Sequence, residues 1–95
     1  METKVVNCHN EPFEVYIGRG SPYGNPFKIG IDGNRKECIL KYRQYLSENP
    51  ELIKKILKEL KNKTLGCHCK PKDCHGDIIV EIIESYENNL DDLFN

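Results

Sequence analysis

Short apolar runs alternate with longer periodic ones along this chain, and their spacing predicts the elements. Lys4-Val5-Val6-Asn7-Cys8 reads as a short strand, and His9-Asn10-Glu11-Pro12 as a turn. Val15-Tyr16-Ile17, rich in β-branched and aromatic side chains, reads as a second strand. From Gly18 to Gly33 the periodicity dissolves. That stretch holds five of the seven glycines together with Pro22 and Pro26, so no regular element is expected in it. A connection of that length in a small domain is usually functional or disordered, and Tyr23 and Phe27 within it argue for order.

Helical spacing begins at Asn34. Asn34 and Glu37 stand in the relation of a capping box, followed by Cys38, Ile39, Tyr42, Tyr45 and Leu46 on one stripe. Ser47 to Pro50 breaks the helix. Asn49 is the expected cap of the next one, with Pro50 at its first position. Leu52, Ile53, Ile56, Leu57 and Leu60 form its apolar face, opposite a row of lysines. Thr64-Leu65-Gly66-Cys67 reads as a third strand and Lys70 to Asp73 as a tight loop. Asp73 is the expected cap of a last helix carrying Ile78, Ile79, Ile82, Ile83 and Tyr86 on one face. The acidic tail, residues 88–95, is expected to fray, with Leu90, Leu93 and Phe94 as its docking side chains.

A strand, then helices, then a further strand implies a parallel pair joined by a right-handed crossover. The fold class predicted is therefore α/β: one small domain over residues 1–95, with a single-layer, mostly parallel sheet and packed helices, half of a Rossmann-like unit. Its 95 residues leave no room for a separate cofactor domain. No apolar run approaches a membrane span, and Met1-Glu2-Thr3-Lys4 lacks a signal-peptide core. The expectation is a cytoplasmic protein with no membrane partner.

Charge sharpens this picture. The formal net charge is -1, yet Arg19 to Lys72 carries thirteen Lys and Arg against five acids, and Asp73 to Asn95 carries seven acids and no Lys or Arg. The middle of the chain suits an anion. Lys54, Lys55, Lys58, Lys61 and Lys63 read more simply as a solvated helix face. The five cysteines, Cys8, Cys38, Cys67, Cys69 and Cys74, are odd in number and clustered, which fits reduced thiols better than a disulfide scaffold.

In open parallel sheets ligands bind beyond the carboxyl ends of the strands. Two unusual segments leave those ends: Ile17 to Phe27, and Cys67 to Asp77. In the first, Gly18 and Gly20 would let backbone N–H groups approach a ligand while Arg19 forks onto a phosphate or carboxylate. Tyr23 and Phe27 are candidates for stacking on a base, as is Tyr16; Asn25 would read polar edges or hold the loop, and Lys28 would add charge. In the second, Cys74, His75 and Gly76 would form the first turn of the last helix, an anion site whose dipole would lower the Cys74 pKa, with Gly76 opening the approach. As an enzyme, the protein would use Cys74 as nucleophile, His75 as acid/base and Asp77 as the orienting carboxylate. The preferred reading is a binder of a nucleotide or another phosphorylated small molecule, with turnover as hydrolase or transferase left open. The alternative is a zinc-stabilised interaction module held by Cys67, Cys69, Cys74 and His75. Nucleic-acid binding through the lysine face ranks last, because the last helix is acidic.

Taken together, Val15-Tyr16-Ile17-Gly18-Arg19, Tyr23-Gly24-Asn25-Pro26-Phe27, Lys41-Tyr42-Arg43, Cys67-His68-Cys69 and Cys74-His75-Gly76-Asp77 resemble domain-of-unknown-function family 4326 of bacteria and phages. The resemblance runs from about Val15 to about Ile83. It departs from the family pattern at Gly20, where a proline is usual, and at Tyr23 and His68, where tryptophans are common. The resemblance implies that these residues form one site, and implies no particular activity.

Overall fold

The computed structural model describes residues 2–94, with side chains described for 2–87. Three strands form one sheet: β1 (Lys4–Asn7), β2 (Val15–Tyr16) and β3 (Thr64–Cys67). The order is β1-β3-β2, and both pairings are parallel. Three helices complete the fold: α1 (Arg35–Ser47), α2 (Pro50–Glu59) and α3 (His75–Phe94). The α/β expectation therefore holds. β2 is two residues long by its pairing, but Glu14 and Ile17 extend the ladder through bonds from their N–H groups to the carbonyls of Thr64 (2.8 Å) and Gly66 (2.9 Å).

Strand alternation sorts the side chains. Val5, Val15, Ile17, Leu65 and Cys67 belong to the hydrophobic core with Tyr42, Leu46, Ile56, Leu60, Ile79 and Ile83. Helix α3 can lie close to the sheet because Gly76 has no side chain. A Cβ there would stand 2.8 Å from Ile17 Cδ1 and 3.0 Å from both Val5 methyls. At the neighbouring register position the Phe13 ring lies over Gly66, where a Cβ would approach it to 2.6 Å.

Capping follows the sequence at one helix and departs from it at two. At α1 the box is complete: Asn34 Oδ1 accepts from Glu37 N at 2.8 Å, and Glu37 Oε1 accepts from Asn34 N at 2.9 Å. At α2, Asn49 makes no side-chain cap; its amide turns back and donates to the Tyr45 carbonyl at 2.5 Å. At α3 the expected cap Asp73 is exposed and Cys74 takes the role. Its Sγ accepts from Gly76 N at 3.3 Å, and Asp77 Oδ2 accepts from Cys74 N at 3.1 Å. Placing Asp77 three residues inside the helix makes it, rather than Asp73, the carboxylate that stabilises the helix start. The docking of Leu90, Leu93 and Phe94 falls on side chains outside the described residues. Among the described residues no helix is long and apolar enough to cross a membrane.

Candidate functional site

The segments that follow β2 and β3 meet in a cavity of about 310 Å³, whose wall includes Tyr16, Arg19, Phe27, Arg35, His68 and His75. Their meeting is a consequence of strand pairing, since Tyr16 lies opposite Gly66 in register and both chains then leave the sheet in the same direction. The two segments are also fastened directly. His75 Nε2 lies 2.7 Å from the Ile17 carbonyl oxygen, a bond in which the imidazole must donate. The loop is held from the other side by Tyr42, whose hydroxyl donates to the Tyr23 carbonyl at 2.7 Å.

Arg19 and Arg35 supply the positive charge of the wall. Arg19 is exposed and makes no hydrogen bond or ion pair with the described residues; Arg35 donates from Nη1 to the Asp73 carbonyl at 3.1 Å. Phe27, Ile29 and Ile39 supply apolar surface. Asn25 lies on the wall but spends its amide on the loop, donating to the Cys38 carbonyl at 3.2 Å and accepting from Phe27 N at 3.0 Å. Gly18 is buried beside Tyr16, and a Cβ at Gly18 would fall on the Tyr16 hydroxyl.

Burial rewrites the chemistry expected of the cysteine segment. The Cys74 thiol lies 2.9 Å from Cys67 Sγ and 3.5 Å from His75 Nδ1. Desolvation, then the hydrogen bond with Cys67, pushes its pKa well above the ordinary thiol range; this outweighs the lowering by the Gly76 N–H. The expected thiolate is therefore corrected to a protonated thiol. Desolvation likewise lowers the His75 pKa below its ordinary value. A neutral His75 that donates from Nε2 keeps Nδ1 as an acceptor facing Cys74. The pair is an internal hydrogen-bonding unit of the cavity floor.

Several expected ligand contacts are also corrected. Tyr23 is 4% exposed and its hydroxyl donates to Glu59, so it packs the core and has no face to offer a base. Gly20 and Lys28 lie off the cavity wall; Gly20 has φ +91 and serves the turn, and Lys28 N–H caps Asp32. Gly76 is filled from the sheet side by Ile17 and Val5 and leaves no approach for a ligand. Asp77 is 2.5 Å from Lys70 Nζ and accepts from Cys74 N, so it stabilises the helix start and does not orient His75. The N–H groups of Cys74, Gly76 and Asp77 all have internal partners, which removes two of the three donors, Cys74 N and Gly76 N, that the anion site needed.

Among the described residues the geometry of a metal cluster occurs elsewhere than at Cys67, Cys69, Cys74 and His75: it is found at Cys8, His9 and His68. Arg35 and His68 were also missed as wall residues. Arg35 is the first residue of α1, immediately after the long loop, and His68 is the first residue beyond β3. Both positions are signals that the carboxyl-end rule could have used.

The class is thus a small parallel α/β protein with a loop-walled cavity at the strand carboxyl ends. The chain belongs to the family described as Domain of unknown function (DUF4326), whose profile it matches over residues 2–85. It is 37% identical over 84 residues to an uncharacterized 12.4 kDa protein from the nrdA-td intergenic region of Enterobacteria phage T4, covering 84% of this chain and 76% of the phage protein. It is 33% identical over 104 aligned positions to an uncharacterized protein of Acanthamoeba polyphaga mimivirus, covering 87% of this chain and 75% of the viral one. No solved structure matches.

Proposed function

We propose that the cavity binds a nucleotide or another phosphorylated small molecule. The observation that carries this reading is the pairing of Arg19 and Arg35 on the wall of a cavity otherwise supplied with aromatic and aliphatic surface by Tyr16, Phe27, Ile29 and Ile39. Guanidinium groups recognise phosphate oxygens by forked hydrogen bonds, and an aromatic edge or face accommodates a base or other flat apolar moiety. The volume of about 310 Å³ lies at the small end of ligand pockets, which suits a mononucleotide-sized guest. The arginines replace the helix start as the anion-holding element.

Binding without turnover is the reading that the buried groups favour. Cys74 is protonated and hydrogen-bonded to the Cys67 thiol, and Asp77 is engaged by Lys70, so neither is set up as a nucleophile or a proton acceptor. Calorimetric titration with a panel of nucleoside mono-, di- and triphosphates and with inorganic phosphate tests the proposal. Saturable binding that Arg19→Ala weakens supports it, and the absence of binding across the panel refutes it.

A further inference from the structure

We propose that Cys8, His9 and His68 form a binding site for a zinc-class divalent cation at the carboxyl ends of β1 and β3. The site is separate from the anion-binding reading of the cavity and does not depend on it. Its origin is strand register. Asn7 lies opposite Cys67 in the parallel pair, and Cys8 N donates to the Cys67 carbonyl at 2.9 Å. Cys8 and His9 therefore leave β1 where His68 leaves β3. Asn7 fixes both exits: its Oδ1 accepts from His9 N at 2.8 Å, and its Nδ2 donates to the Lys70 carbonyl at 2.7 Å.

One ligand-capable atom from each of the three side chains lies within 4.8 Å of the others. His68 Nδ1 is 2.8 Å from His9 Nε2 and 3.5 Å from Cys8 Sγ. Around a tetrahedral zinc, with its usual Zn–N and Zn–S bond lengths, two nitrogens stand about 3.3 Å apart and a nitrogen and a sulfur about 3.6 Å apart. The Cys8–His68 separation already has that value. The His9–His68 pair needs to open by about 0.5 Å, and Cys8 and His9, whose ligand atoms lie within 4.8 Å of each other, need to settle at about 3.6 Å; His9 sits on an exposed turn where its side chain can move.

The hydrogen bond behind His68 points the same way. Tyr16 Oη lies 2.9 Å from His68 Nε2, which suits an Nε2–H donor and leaves the Nδ1 lone pair facing His9 and Cys8. Metal-bound histidines commonly donate their second ring N–H to an oxygen in this manner. One thiolate and two imidazoles, with no carboxylate in the cluster, select a borderline-soft ion over magnesium or calcium. Three protein ligands leave a fourth position for water or an added ligand. His68 also lines the cavity, so the ion would sit at the cavity rim.

Cobalt(II) titration of the reduced protein, with zinc as competitor, tests the site. The expected result is one equivalent bound, tetrahedral cobalt absorption with a sulfur-to-cobalt charge-transfer band, and displacement by zinc. Cys8→Ser should abolish that band. His9→Ala and His68→Ala should each weaken binding by at least about 100-fold, and Tyr16→Phe by about tenfold or more, the scale for losing an outer-shell partner. Cys69→Ser should leave binding unchanged. Cys8 and His9 lie outside the core, so circular dichroism of the metal-free variants should match that of the parent chain. No stoichiometric binding, a charge-transfer band that survives Cys8→Ser, or one lost in Cys69→Ser overturns the proposal.

Discussion

The buried imidazole of His75 donates to the carbonyl oxygen of Ile17 at 2.7 Å, tying the start of α3 to the loop that leaves β2 across 58 residues of sequence. This contact couples the helix, the sheet and the cavity wall.

The pH dependence of stability follows from the burial of that ring, which outweighs the opposing effect of the Ile17 contact. Burial lowers the folded-state pKa of His75 below its ordinary 6.5, so below that value the unfolded chain takes up the proton first. The stabilising contribution is complete above the ordinary value and is lost as pH falls from there toward the folded pKa. Melting temperature measured between pH 7.5 and about pH 5 should drop more steeply for the parent chain than for His75→Gln. Parallel curves would contradict the assignment.

Gly76 should govern stability. A side chain there meets Ile17 and Val5 at 2.8–3.0 Å, and overpacking of this kind costs about 1–3 kcal/mol. Denaturant titration of Gly76→Val should show that loss. An unchanged midpoint would mean that α3 can move off the sheet at no cost.

The contrast between Gly76 and Arg19 shows what the sequence could and could not reveal. Element order, the capping box at Asn34 and Glu37, and the meeting of the Gly18 and Cys67 segments were all legible, because hydrophobic period and the parallel-sheet rule act locally or by topology. The job of each side chain inside the meeting point was not. Gly76 and Tyr23 carry the same residue types whether they face a ligand or the core, and only packing against Val5, Ile17 and Glu59 decides it. The Cys74 environment is hidden in the sequence for a related reason. A helix dipole is visible in sequence, but the burial that outweighs it is a property of the assembled core. Cys8 and His9 read in the sequence as a strand end and a turn, because the register linking them to His68 spans about sixty residues.

Thiol reactivity should follow burial. Limited alkylation at neutral pH, read by peptide mass spectrometry, should label the partly exposed Cys8 and Cys69 well before Cys67, Cys74 and Cys38, which are at most 2% exposed. Early labelling of Cys74 would restore the activated-thiol reading and contradict the protonated, core-bound one.

The lysine face of α2 should be dispensable for ligand binding. Lys58 is exposed on that helix and lies off the cavity wall, so its removal should change affinity by less than about twofold. A larger loss would place the anion on the outer helix instead.

The central claim, that Arg19 and Arg35 hold a phosphorylated guest in the cavity, is tested most directly by isothermal titration of the parent chain, Arg19→Ala, Arg35→Ala and Lys58→Ala with the tightest nucleotide of the panel. Loss of a charge-assisted hydrogen bond is worth about 1.5–3 kcal/mol, so each arginine variant should weaken binding by roughly tenfold or more while Lys58→Ala binds like the parent. Equal affinities across all four proteins would contradict it.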